Sequence, residues 1–383
     1  MKTTTIVSYK FNVNGECSDV LHAKRGIRQG NPISPMLFVI MVEYMNRLMV
    51  KMPQNSNFNH YSKCEKLALT HMAFADDVLL FCRGDLMSFE LILEAFKKFS
   101  DSTCLIVNPR KCKLFCGGME TSLIQEVERL SGFEEGQLPV RCLGVPLLSK
   151  KLSVNHYLPS VDRIFCRIRH WSAKLLSTAS RIQLVKSITM AIAQYWITYF
   201  PIPMLVIQKI EAICRSFIWT GKAEISRRIP MAWSKVCSLI SQGGLNIINI
   251  GIWNKVSMLK CLCNICMKVD NHWVKWVHTY YLKDEDVKNA DLKNTSSWIL
   301  KVVMLSRGTV NQIQDLWVTM LTNCKFSMRK TYMELIRNQS PTDLFQVIRN
   351  NYARPHADLT CWLACHGLLA MKEKNDEIGF VAR

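Results

Sequence analysis

The chain has 383 residues, 49% hydrophobic and 21% charged, a globular composition with room for two or three domains, each with its own core. Forty-nine lysines and arginines against 30 aspartates and glutamates leave a net charge of +19, which points to a polyanionic partner, nucleic acid before an acidic membrane surface. Sixteen cysteines would suggest disulfides only in a secreted chain. The opening MKTTTIVSYKFNVNGE has no apolar signal-peptide core, so reduced, mostly buried thiols and a nuclear or cytoplasmic location are expected.

In chain order, the first 25 residues read as a hairpin, IVSYKFNV and CSDVLHAKR around the turn NGE. The Gly/Pro-punctuated loop GIRQGNPISP leads into a helix with Ser34 as N-cap and Pro35 at its first position. That helix is expected to bury Leu37, Ile40, Met41, Tyr44, Met45 and Leu48. KLALTHMAF and VLLFC are short strands flanking Ala75-Asp76-Asp77, which sets two adjacent aspartates at a hairpin tip within an apolar run. A helix, DLMSFELILEAFKKFSDST, follows, and CLIVNPRKCKLFCGG reads as strand, Asn-Pro turn and strand. After another helix, LPVRCLGVPLL is a strand pair kinked at Gly144-Val145-Pro146. From about residue 155 the pattern is almost wholly helical and includes the basic stretch VDRIFCRIRHWSAKLLSTASRIQLVK. The uncharged run between Lys186 and Lys209 is long enough to span a bilayer. Gln194, Pro201, Pro203 and basic flanks on both sides predict instead a buried helix ending at Pro201 and a second helix after it. Residues 222–250 form a loop-rich connector before helices resume in NKVSMLKCLCNICMKV.

Two adjacent carboxylates in apolar surroundings need a reason, because an unpaired buried charge is costly. A turn facing water and a metal site both supply one, and for residues 71–82 taken alone the turn is the better reading. GIRQGNPISP, FADD, VNPRK and VRCLGVPL, in this order within residues 1–221, resemble the reverse transcriptase of plant non-LTR (LINE-type) retroelements. From LWVTM to CWLACHGLLAMKEK the likeness continues more weakly, as the start of the zinc-binding segment that follows such polymerases. The resemblance implies an α+β fold: a partial polymerase palm (antiparallel sheet with packed helices) over 1–150, then a mostly α-helical thumb over 151–221. A helical, loop-rich connector over 222–340 and a truncated zinc-binding-like segment over 341–383 follow. It also implies RNA-directed DNA polymerisation with Mg²⁺, an RNA template and a DNA primer or target as partners, dNTP as substrate of the full-length ancestor, and no membrane.

Nucleotidyl transfer uses two divalent ions about 3.5–4 Å apart, and Mg²⁺ takes a few carboxylates with phosphate oxygens and water. On the resemblance, Asp76 is the direct ligand and Asp77 its helper, with Phe74 and Ala75 beside them. Arg28, Gln29, Gly30, Pro32 and Ser34 belong to a loop under the template base and beside the incoming nucleotide. There Gly30 permits close backbone approach and Gln29 offers both donor and acceptor. Asn31 departs from the acidic residue usual at its position. Lys111 resembles the lysine near the leaving pyrophosphate, a plain surface lysine being the alternative. Leu143 and Gly144 resemble the primer-grip turn. Arg163, Arg167, Arg169, Lys174, Arg181 and Lys186, with Trp171 among them, are candidates for the thumb's phosphate-tracking face, with a solvated helix face as competitor.

Members of that family carry a third metal-binding aspartate on a strand well upstream of the Arg-Gln-Gly loop. Here 27 residues precede Arg28, and Asp19 among them fits a hairpin. The chain is therefore expected to open inside the palm, to hold an incomplete two-metal site and to have negligible polymerase activity alone. Zinc is not expected: Cys361, Cys365 and His366 lack a partner pair, and Cys261, Cys263 and Cys266 fall on an apolar helix. One alternative is a non-enzymatic, basic nucleic-acid-binding remnant. A weaker one is an organellar intron maturase, whose dedicated intron-binding domain the region after 222 does not resemble.

Overall fold

The computed structural model describes residues 8–22, 30–148, 150–172, 176–226, 229–283, 285–292, 294, 296–311, 313, 316–317, 326–336 and 355–369. The chain divides into two units, Met1–Leu147 and Leu148–Arg383. Together they are α+β, with short strand pairs in the first unit and helices in both.

In the first unit β1 (Ser8–Tyr9) pairs antiparallel with β4 (Leu21–His22), and β2 (Asn12–Val13) with β3 (Glu16–Cys17). Asn14 and Gly15 take φ values of 54° and 94°, the left-handed pair that a two-residue hairpin turn requires and that Asn-Gly adopts at low cost. Helix α1 (Ser34–Lys51) starts at Ser34 itself, so Ser34 is not its cap. Ile33 holds the cap position without a side-chain bond, and its N–H donates to the Asn31 side chain at 3.1 Å. The fully buried residues of α1 lie in its C-terminal half, where Met45 and Met49 join Ile92, Ala95 and Phe99, with Met41 and Leu48 partly buried against them. Ile40, expected inside, is 65% exposed, and Tyr44 is exposed too.

Strands β5 (His71–Phe74) and β6 (Asp77–Leu80) form the next hairpin, with His71 opposite Leu80 and Phe74 opposite Asp77. Val78 and Leu80 pack against the same helical core, which fastens the hairpin to the unit. Asp85 caps α2 (Leu86–Thr103), its carboxylate accepting from the Ser88 N–H at 2.8 Å. The strand expected over CLIV is absent, because a ladder needs a neighbour and none meets it among the described residues. Asn108 instead caps a tight turn at Pro109–Lys111, accepting from the Arg110 N–H at 3.1 Å. Beyond it β7 (Lys113–Leu114) runs parallel to β8 (Glu134–Glu135) across helix α3 (Thr121–Ser131), and Lys113 and Glu134 are ion-paired. Strands β9 (Val140–Cys142) and β10 (Val145–Leu147) close the unit.

The second unit is helical. Helix α4 (Val154–Ser172) is followed by α5 (Thr178–Leu184), a π-helical turn at Val185–Thr189, and α6 (Met190–Tyr199). The chain then breaks at the two prolines, as their geometry demands, and restarts as α7 (Met204–Thr220). The Tyr157 hydroxyl donates to the Pro201 carbonyl at 3.0 Å, and Asn254 clamps both the N–H and the C=O of Ile202 at 3.0 Å. Helices α8 (Trp233–Cys237), α9 (Ile250–Cys266), α10 (His272–Val277), α11 (Trp298–Leu305), α12 (Arg307–Val310), α13 (Met328–Ile336) and α14 (Pro355–Cys365) complete it. Leu259, Leu262 and Cys263 of α9 are buried with Val277, Leu300 and Val310 at the centre of its core. Among the described residues no helix is long and apolar enough to cross a membrane.

Candidate active site and nucleic-acid face

Because Phe74 pairs with Asp77, Ala75 and Asp76 alone make the turn between β5 and β6. Ala75 has φ 51°, a left-handed conformation that costs a residue bearing a Cβ about 1–2 kcal/mol. Val78 and Leu80 face the core, so strand alternation turns Asp77 away from it. Phe74, Ala75, Asp76 and Asp77 are all exposed. The apolar flanks therefore do not bury the carboxylates: the hairpin carries them clear of the core at a strained tip, the kind of backbone feature that clusters at functional sites. Glycine at position 75 removes the Cβ clash while adding some chain entropy. Ala75→Gly is expected to stabilise the hairpin by about 0.5–1 kcal/mol, read as roughly two- to fivefold slower amide exchange across residues 71–80.

The β9–β10 turn lies within electrostatic reach of this tip. Burial first, and then the negative charge of Asp77, push the Cys142 thiol upward. That turn consists of Leu143 and Gly144, with φ values of 52° and 79°, rather than a kink at 144–146. A leucine in the left-handed region is a second strained position beside the aspartates. Lys111 ends the tight turn after Asn108 with its side chain exposed. Gly30 has φ 86° and open space where a Cβ would stand, Pro32 is exposed, and Ser34 is half-buried. Arg28, Gln29 and Lys174 lie outside the described residues.

Two exposed adjacent carboxylates suit one Mg²⁺ ion, which binds through one or two such groups and completes its shell with water and phosphate oxygens. Among the described residues no third Asp, Glu, His or Cys joins them. The described donors thus fit one ion and do not assemble a two-ion clamp.

The basic residues of the second unit separate into two kinds. Arg163 and Arg167, one turn apart on α4, are exposed and line a groove with Ser187, Ile188, Ala191 and Tyr195. Arg169 is also exposed but points from another side of the helix. Arg181 is no part of an open basic face: its guanidinium donates to the carbonyls of Leu176 at 3.0 Å and Ile218 at 3.1 Å. It lies under Gly221, and burial lowers its pKa. Lys186 is half-buried, with its pKa lowered for the same reason. Trp171 packs against Phe217 with ring centroids 6.1 Å apart and serves the core. Charge and periodicity cannot separate an arginine that caps a helix end from one that faces water. The groove residues Ser187 and Tyr195 carried no signal in the sequence beyond their helical spacing.

Cys263 is buried in the α9 core, with Cys261 and Cys266 packed against it. Burial first pushes the Cys263 and Cys266 thiols up to about 11, as expected of small core residues. Cys361 and Cys365 are exposed on α14, and the His366 ring meets the Trp362 carbonyl at 3.0 Å.

In the first unit a helix-backed hairpin carries adjacent aspartates at an exposed, strained tip. The family model for reverse transcriptase (RNA-dependent DNA polymerase) matches residues 1–147, the same span as that unit, which is therefore a reverse transcriptase domain. A curated relative, a putative ribonuclease H protein of Arabidopsis thaliana, is 23% identical over 154 residues. The match covers 40% of this chain and 25% of the relative, so the chain spans only part of that protein's length.

Proposed function

We propose that the chain is part of the reverse transcriptase of a plant non-LTR (LINE-type) retroelement, with Asp76 and Asp77 holding Mg²⁺ at the primer end. Asp76 is the principal ligand and Asp77 its helper. Residues 151–221 act as thumb, 222–340 as connector and 341–383 as a zinc-binding-like segment. The observation that carries this reading is the exposed, strained Ala75-Asp76 turn on core-anchored strands, inside a unit matched over its whole span by the general reverse transcriptase family model. When bound, magnesium withdraws charge from phosphate oxygens. The chain's own residues hold the ion on a stiff tip, offer the Leu143-Gly144 backbone to the primer and leave room at Gly30 for the nucleotide. Lys111 supplies positive charge for the leaving phosphates, with Arg28 and Gln29 at the templating base.

A companion reading is that the chain alone binds RNA and DNA through the exposed Arg163, Arg167 and Arg169 and polymerises negligibly. The test uses a primer–template whose 3′-terminal primer base carries a photo-crosslinking group. Label is expected in peptides spanning residues 71–82 or 140–147. Label confined to the second unit sinks the placement of the primer end, and Mg²⁺-dependent extension abolished by Asp76→Ala contradicts the inactivity.

A further inference from the structure

The groove on the second unit has a chemistry that a phosphate-tracking face does not need. One wall is the exposed pair Arg163 and Arg167 of α4, and neither side chain has an ion-pair or hydrogen-bond partner among the described residues. The opposite wall is the π-turn and α6, which contribute the Ser187 hydroxyl, the aliphatic side chains of Ile188 and Ile192, and the Tyr195 ring. None of the lining residues is acidic. The groove is shallow and open to solvent, with a volume of about 430 Å³.

Tyr195 is 40% exposed and Tyr199, one turn on, is 43% exposed; their rings meet edge-on with centroids 5.2 Å apart. Two cations facing an apolar wall that ends in a 40% exposed tyrosine match a nucleotide, which has a charged phosphate at one end and a flat apolar base at the other. The π-turn adds to the case, because a π-bulge spreads the helix locally and such turns recur at functional sites.

We propose that this groove seats single-stranded nucleic acid, taking backbone phosphates on Arg163 and Arg167 and stacking a base on Tyr195, with Tyr199 beside it for the next base. The proposal rests on the reading of α4 as a phosphate-binding face and adds strand state and base contact to it. The exposure of the Tyr195 ring favours a single strand, since a paired base presents only its edge.

The test uses the full chain, a fluorescein-labelled 12-nucleotide oligo-dT and a blunt DNA duplex of equal length. Tyr195→Ala is expected to weaken oligo-dT binding about tenfold while changing duplex binding less than about twofold. Tyr195→Phe should behave as wild type. The Arg163→Gln/Arg167→Gln double variant should flatten the slope of log K against log salt on oligo-dT by about 1.4. Unchanged tryptophan emission checks folding, since Trp196 lines the same groove. If the arginine variant flattens the slope while Tyr195→Ala is silent, or loses equally on duplex, the base seat is overturned and the phosphate face stands. If neither variant has an effect, both are overturned. Tighter binding of poly-glutamate than of oligo-dT overturns the nucleotide in favour of an acidic peptide.

Discussion

Gly244→Ala is expected to destabilise the second unit by about 3 kcal/mol, the upper end of what overpacking costs. An added Cβ would overlap the Ser238 carbonyl and come within 2.7 Å of the Ser238 Cα, and backbone cannot rotate aside as a side chain can. Three backbone hydrogen bonds lock the turn around it: Gly244 to Leu239 at 2.9 Å, Leu245 to Val236 at 2.9 Å, and Asn246 to Ser238 at 3.0 Å. The Trp362 indole donates to the Gly243 carbonyl at 3.0 Å and stacks on Trp219, centroids 6.3 Å apart, so any shift there also loosens α14. All ten tryptophans lie in the second unit, so urea unfolding followed by tryptophan emission reads that unit alone. A midpoint unchanged from wild type would mean that the turn yields without cost.

Affinity for nucleic acid is expected to fall about a thousandfold between 50 and 200 mM salt. Neutralising roughly six phosphates gives a log–log slope near −5 on duplex DNA, because each contact releases condensed counterions. The net charge of +19 supplies ample lysine and arginine for that number of contacts. Arg163, Arg167 and Arg169 are exposed contributors, whereas Arg181 is committed to the Leu176 and Ile218 carbonyls and should add nothing. Fluorescence anisotropy over a salt series reads the slope directly. A value shallower than about −2 would leave the charge excess without a nucleic-acid role.

Features carried by local chemistry were legible in the sequence. Asn14-Gly15 announced its turn, Pro201 and Pro203 announced the break between α6 and α7, and the run FADD announced a hairpin tip. Each follows from φ preferences or a missing N–H, which neighbours alone decide. What depended on tertiary neighbours was not legible. Ile40 has the right helical spacing for burial, yet the partners of α1 meet the face carrying Met41, Met45 and Met49 and leave Ile40 65% exposed. Ser34 has the right chemistry for a cap, but the Asn31 side chain reaches the first free N–H beside it. Arg181 reads as one basic residue among several until the α7 carbonyls are seen to face it. The aspartate pair was legible as a candidate site through its companions GIRQG, VNPRK and VRCLGVPL; the exposure of that pair required the hairpin's packing to be known.

The central claim, that the tip at residues 76 and 77 grips a divalent ion beside the primer end, is tested most directly with Mn²⁺ in place of Mg²⁺. Met72, 45% exposed on β5, offers a methyl group close to the tip. In the full chain bound to primer–template and carrying ¹³C-methyl methionine, Mn²⁺ is expected to broaden the Met72 resonance, and the Asp76→Asn/Asp77→Asn variant is expected to restore it. A Met72 signal that stays sharp as Mn²⁺ is added, or that broadens equally in the double variant, would contradict the claim.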